Sequence, residues 1–169
     1  GTLDVTTAGA ITDGGTLTVT GATTLAAGAG NSITLNNLDD FSSVGITSGN
    51  NVVLNDINAL ILNASTISGT LDVTTAGAIT DGGTLTVTGA TTLAAGAGNN
   101  ITLNNLDDFS SVGITSGLNV VLNDINALIL NASTVSGTLG VTTAGAITDG
   151  GALTVTGATT LAAGAGNNI

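Results

Sequence analysis

Eleven aspartates are the only ionisable side chains in this sequence, so any reactive chemistry must come from them and from neutral hydroxyls and amides. Asp39-Asp40 and Asp107-Asp108 are the densest pairs, and Asp56 and Asp124 follow about one coil later, each two residues before an Asn. Oxygen-only clusters suit a hard cation, which makes Asp39, Asp40, Asp56, Asp107, Asp108 and Asp124 candidate Ca²⁺ ligands. The competing reading is a set of solvated corners whose charge keeps the molecule soluble. Neither the Gly- and Asp-rich nonapeptide of Ca²⁺-binding β-rolls nor the EF-hand loop is present. Paired carboxylates can also cleave glycosidic bonds when they stand at a set separation in different environments. Thr12-Asp13-Gly14-Gly15 lacks the aspartic-protease signature and reads as a turn, because Asp-Gly tolerates positive φ.

The missing residue types narrow the field further. Lys, Arg, His, Glu, Gln, Pro, Cys, Met, Trp and Tyr do not occur. The usual bases, nucleophiles and N/S metal ligands are therefore lacking, and no catalytic residue, enzyme activity or cofactor is expected. A net charge of -11 with no cationic side chain offers nothing to neutralise phosphates, which argues against nucleic-acid binding. Hydrophobic residues make up 42% of the chain and mean hydropathy is +0.55, enough to bury a core. Apolar runs such as Ala59–Leu62 are too short to span a membrane, and no basic, then apolar leader is visible. Thr2, Thr6, Thr16, Thr18, Thr20, Thr34, Thr70 and Thr74 suggest an outward hydroxyl row of the kind that binds ice. Asp4, Asn36, Asn51, Val53 and Asn55 interrupt it, and Thr suits exposed strands in any case. Asn63-Ala64-Ser65, Asn100-Ile101-Thr102 and Asn131-Ala132-Ser133 match the glycosylation sequon and are read as chance in an Asn-rich repeat. Phe41 and Phe109 are the only aromatics and are assigned to the core.

The elements that position these groups come from an internal repeat. GTLDVTTAGAITDGGTLTVTGATTLAAGAG begins at Gly1, recurs unchanged at Gly69, and returns with small changes at Gly137, a period of 68 residues. The copies span 1–68, 69–136 and the partial 137–169, read as one continuous domain. Neither end resembles a polar cap, so the array is expected to continue in both directions. Within each copy Leu3, Leu17, Ile33 and Val52 open four segments of 14, 16, 19 and 19 residues with apolar residues at offsets 0, 2, 5 and 8. Offsets 0 and 2 carry the period of a strand, and the Gly-, Asn- and Ser-rich intervals carry corners. Identical apolar columns favour a parallel β-solenoid over a sandwich, whose successive strands would need different residues. The expected fold is thus all-β, with about ten coils of 14–19 residues and a length of about 48 Å. Ile11, Leu25, Phe41 and Leu60, with their copies Ile79, Leu93, Phe109 and Leu128, are expected to stack as one core ladder. Asn36 over Asn55 is a candidate amide ladder.

The run GTLTVTGATTLAAGAGN followed by ITLNNLDDFSSVGITSGNNVVLNDINALILNAS resembles the repeats of large bacterial exoproteins of the filamentous haemagglutinin type. That resemblance spans essentially the whole chain. It implies a right-handed parallel β-helix, secretion through a two-partner system with an outer-membrane partner, and a place in the shaft of an adhesin or biofilm filament outside the cell. The partners it implies are neighbouring repeats of the same long chain, with identical fibres side by side as a second candidate. Ligand-binding solenoids (ice or Ca²⁺) and carbohydrate-active β-helix enzymes are the alternatives.

Overall fold

The computed structural model describes all residues, 1–169, and contains strands and turns but no helix. Thr, Val, Ile and Leu at alternating positions favour the pleated surface, and the Gly-rich intervals stop each run after a few residues. Every strand pairs in parallel with strands one turn above or below it, so the chain winds as a β-solenoid. Two ladders flank a single core of 33 buried apolar residues. The first runs through β1 (Leu3–Thr6), β3 (Thr18–Ala26), β4 (Ile33–Ser48), β6 (Leu60–Leu62), β9 (Ile79–Asp81), β11 (Ile101–Ser116), β12 (Val120–Asp124), β15 (Leu139–Thr143) and β18 (Thr159–Ala162). The second runs through β2 (Ile11–Thr12), β4, β5 (Val52–Asp56), β8 (Leu71–Thr75), β10 (Leu85–Ala94), β11, β13 (Leu128–Leu130) and β16 (Ile147–Asp149). The long strands β4 and β11 bend round a corner and serve both ladders. Short segments close the edges: β7 (Ser65–Ile67) under β10, and β14 (Ser133–Val135) under β17 (Leu153–Val155).

Nine rungs on one side and eight on the other make about eight turns, not ten. The register explains the difference. Leu3 pairs with Thr23, Ile33 with Val52, Val44 with Leu62 and Ile79 with Ile101, so a turn takes 18–22 residues at these points. Leu17–Val19 does not open a coil of its own. It forms an edge segment within the turn that began at Ile11, and Val19 lies against Phe41. The eight residues expected to form one ladder are all buried, yet only Leu60 sits on Ile79 and Ile11 sits instead on Ile33. Leu25 lies between Val5 and Ile46, Leu93 between Val73 and Ile114, and Leu128 on Ile147; Phe41 and Phe109 fill the edges against Val19 and Val87. Residues that share a place in the sequence pattern thus occupy different places in the cross-section, because the segments differ in length and two of them can belong to one turn.

The 68-residue period spans a half-integral number of turns. Ile11 lies half a turn after Leu3, and the steps Ile11–Ile33–Val52–Leu71 make three turns, so Leu3 and its copy Leu71 are 3.5 turns apart. Leu3 therefore belongs to the first ladder, Leu71 to the second, and Leu139 to the first again. Each copy presents its surface on the side opposite to its neighbour's.

Cohesion comes from main-chain ladders and apolar burial, with 100 backbone–backbone hydrogen bonds. Glycine permits close stacking at the corners. Gly89 N–H donates to Gly69 O at 2.8 Å, and a Cβ on Gly89 would stand 2.5 Å from that same oxygen. Gly28 and Gly96 turn a corner at φ +85° and +83°, where other residues are strained.

Candidate functional site

The fifth-offset positions were expected to be apolar and inward. Leu38 is instead 61% exposed, Leu106 likewise, and Ile57 and Ile125 also face outward. The inward places beside them belong to Asp39, Asp56, Asp107 and Asp124, all buried. Leu38 and Leu106 adopt φ of 56° and 55°, in the left-handed region, so the strand flips and the following aspartate turns into the core. Asp40 and Asp108 are half-buried. These buried carboxylates overturn the expectation of solvated corners at Asp39, Asp56, Asp107 and Asp124.

Their place follows from the ladder. The register breaks between Leu35 and Asp39 and again between Val19 and Ala22, because consecutive turns differ in length. Main-chain N–H groups at the break have no carbonyl above them, and a carboxylate takes its place. Asp39 Oδ1 accepts from Leu17 N–H at 2.8 Å; Asp56 Oδ2 accepts from Phe41 N–H at 2.7 Å and its Oδ1 from Asn58 N–H at 2.9 Å. The second copy repeats this on the opposite edge: Asp107 with Leu85 at 2.8 Å, Asp124 with Phe109 at 2.7 Å and with Asn126 at 2.9 Å. Thr75 and Thr143, also buried, continue each column in the turn after Asp56 and Asp124.

Asp39 and Asp107 are each 0% exposed, and in both the Oδ2 atom is buried without a hydrogen-bond partner. Burial pushes the Asp39 carboxyl up and the Leu17 N–H partly opposes it, while Asp13 and Asp56 push it up further. Asp107 is pushed up to about 7, again chiefly by burial, with Asp81 and Asp124 adding to it and the Leu85 N–H opposing. Asp56 and Asp124 are also raised by burial, against the two main-chain N–H groups that each accepts.

No three acidic side chains gather closely enough to hold a metal ion. Of the six candidate ligands, Asp39, Asp56, Asp107 and Asp124 spend oxygens on main-chain N–H, and Asp40 and Asp108 accept from Asn58 and Asn126 Nδ2 at 2.7 and 2.6 Å. A shallow recess of about 310 Å³ is lined by Thr86, Thr88, Asp108, Ser110 and Asn126, and Asp108 is its single carboxylate. The outward columns contain no long threonine row: one reads Thr12, Thr34, Val53, Asp72, Thr92, Gly113. Asn36 and Asn55 do meet, but Asn55 Nδ2 donates to the Asn36 main-chain carbonyl at 3.3 Å rather than to its amide.

The inward aspartates were missed because a count of apolar offsets assumes regular pleating. The signal available was the identical Asn-Asn-Leu-Asp-Asp string at 36–40 and 104–108, where a lone Leu between polar pairs marks a flipped strand. Comparison with curated proteins and with solved structures returns no match. Residues 1–48, 49–116 and 117–169 each match the family described as Repeats of unknown function (DUF5649), and the middle match is one 68-residue period in a frame that starts at Gly49. With all residues covered by these three matches, the chain belongs to that family of repeats.

Proposed function

We propose that this chain is a length of structural, non-catalytic shaft in a secreted bacterial fibre or adhesin, serving cell adhesion, biofilm or a surface filament. The carrying observation is the unbroken pair of parallel ladders, in which each turn adds hydrogen bonds to the next and no turn closes the stack on itself. Such an array transmits tension along its axis through many weak bonds in series and spans distance in proportion to repeat number. Its exterior of Thr, Asn, Ser and Asp is wet and weakly acidic, without a cationic side chain. The resemblance to filamentous haemagglutinin repeats supports the external location and the two-partner export route.

Tandem arrays of two, four and eight 68-residue units, imaged by negative-stain electron microscopy, test the mechanical half. Contour length should grow by about 17 Å per unit, and compact particles whose length does not scale would overturn it. Immunogold labelling of intact source cells tests the location. Gold on the outer surface is expected, and gold only after permeabilisation would overturn an extracellular role.

A further inference from the structure

The buried Oδ2 atoms of Asp39 and Asp107 have no donor among the main-chain groups around them. One neighbour is within reach of each. Asp13 acts on the Asp39 carboxyl both by its charge and as a hydrogen-bonding neighbour, and Asp81 acts in the same way on Asp107. Asp13 Oδ2 already accepts from Asn37 N–H at 3.0 Å and Asp81 Oδ2 from Asn105 N–H at 2.8 Å, so both partners are held in place with an oxygen to spare. Two carboxylates cannot bond to one another, but a carboxylic acid and a carboxylate can. A fully buried carboxylate beside a half-buried one, with no cation between them, must either bear their repulsion or take up one proton.

We propose that Asp13–Asp39 and Asp81–Asp107 are proton-sharing carboxyl pairs, one per repeat, that bind successive turns more firmly in mildly acidic surroundings. Solvent supplies the proton; it bonds to one carboxyl and is hydrogen-bonded by the other, and no other bond changes. The charged groups facing the pairs are all acidic. Asp56 from β5 faces Asp39, and Asp124 from β12 faces Asp107. Asp40 and Asp108 lie next to them in sequence and act on Asp56 and Asp124 respectively. The Leu17–Val19 and Leu85–Val87 segments of the preceding turn carry no titratable group, and the sequence contains no cationic side chain. Because all charge near the pairs is negative, nothing competes with the proton.

The direction follows from linkage. Asp107 holds its proton up to about pH 7 in the fold and only to about 3.8 when unfolded. The added stability is therefore complete below about pH 4 and is lost as pH rises through 7, the reverse of an ordinary salt-bridged aspartate.

Thermal unfolding of the 169-residue chain should show Tm falling by on the order of 10 °C between about pH 4.5 and about pH 8. In the double variant Asp39→Asn, Asp107→Asn the side-chain amide donates to Asp13 and Asp81 at every pH. Its Tm at about pH 8 should approach the wild-type value in acid, with most of the pH dependence gone. The exposed controls Asp4→Asn and Asp72→Asn should leave the profile unchanged. Infrared spectra of the unmodified chain at about pH 6 should contain a protonated-carboxyl band, absent at about pH 9; this reading stands even if the double variant does not fold. A flat Tm profile or a missing band overturns the proposal. So does added Ca²⁺ that raises Tm at about pH 8 as much as acid does, which would make the pair a cation site.

Discussion

Thr91 and its copy Thr23 are buried in the core with hydroxyls that find no partner. A hydroxyl taken from water without a hydrogen bond is a net loss, and Val has almost the same shape. Thr91→Val should therefore raise stability by roughly 1 kcal/mol in a denaturant titration, and a lowered midpoint would show that the hydroxyl has a partner. Leu106 poses the opposite problem, an exposed β-carbon held at φ 55°. Leu106→Gly removes that strain and some exposed apolar surface, so it too should stabilise, by about 1 kcal/mol. A loss by the same assay would mean that Leu106 makes contacts worth more than its backbone strain. At both places the polarity pattern misleads, since what counts is the direction of one side chain.

The edge segments are where turns of unequal length are reconciled. Phe109 occupies one edge and Asp124 reaches back from the next turn to take its N–H, as Asp56 does for Phe41. Asp124→Ala would leave the N–H groups of Phe109 and Asn126 without their acceptor, at a cost of about 2–4 kcal/mol. Asp124→Asn keeps one acceptor oxygen and should recover part of that loss. If Ala and Asn were equal by denaturant midpoint, the carboxylate would not be the fastening. The apolar doublets Ile33/Leu35 and Val52/Leu54 were legible as strands because alternation is local. The edges were not, because which N–H lacks a carbonyl depends on the length of the turn above it.

At the scale of the rod, a period of 3.5 turns makes the molecule two-sided. Thr24 and Thr160 lie outward on the first ladder seven rungs apart, whereas Thr92, their copy between them, lies on the second. Spin labels at positions 24 and 160 should be separated by about 34 Å along the axis. A 24–92 pair should report a distance across the rod as well as along it. Were the repeat an integral four turns, the 24–92 labels would share a face about 19 Å apart, and the measured distribution would separate the two cases. Surface features such as exposed Leu38 and Leu106 then recur on alternate edges about every 17 Å, and on the same edge about every 34 Å.

Alternation, period and composition determine that this chain is all-β, repetitive and acidic, because apolar residues at every second position between Gly-rich intervals suit strands and interrupt helices. They also determine which strand residues turn inward wherever pleating is regular. The number of turns, the alternation of faces and the burial of four aspartates were decided by tertiary structure. Each depends on how one turn registers against the next, and that register is set by corner lengths and by main-chain groups seeking partners across turns, a relation between residues 17 to 22 positions apart that no local pattern encodes.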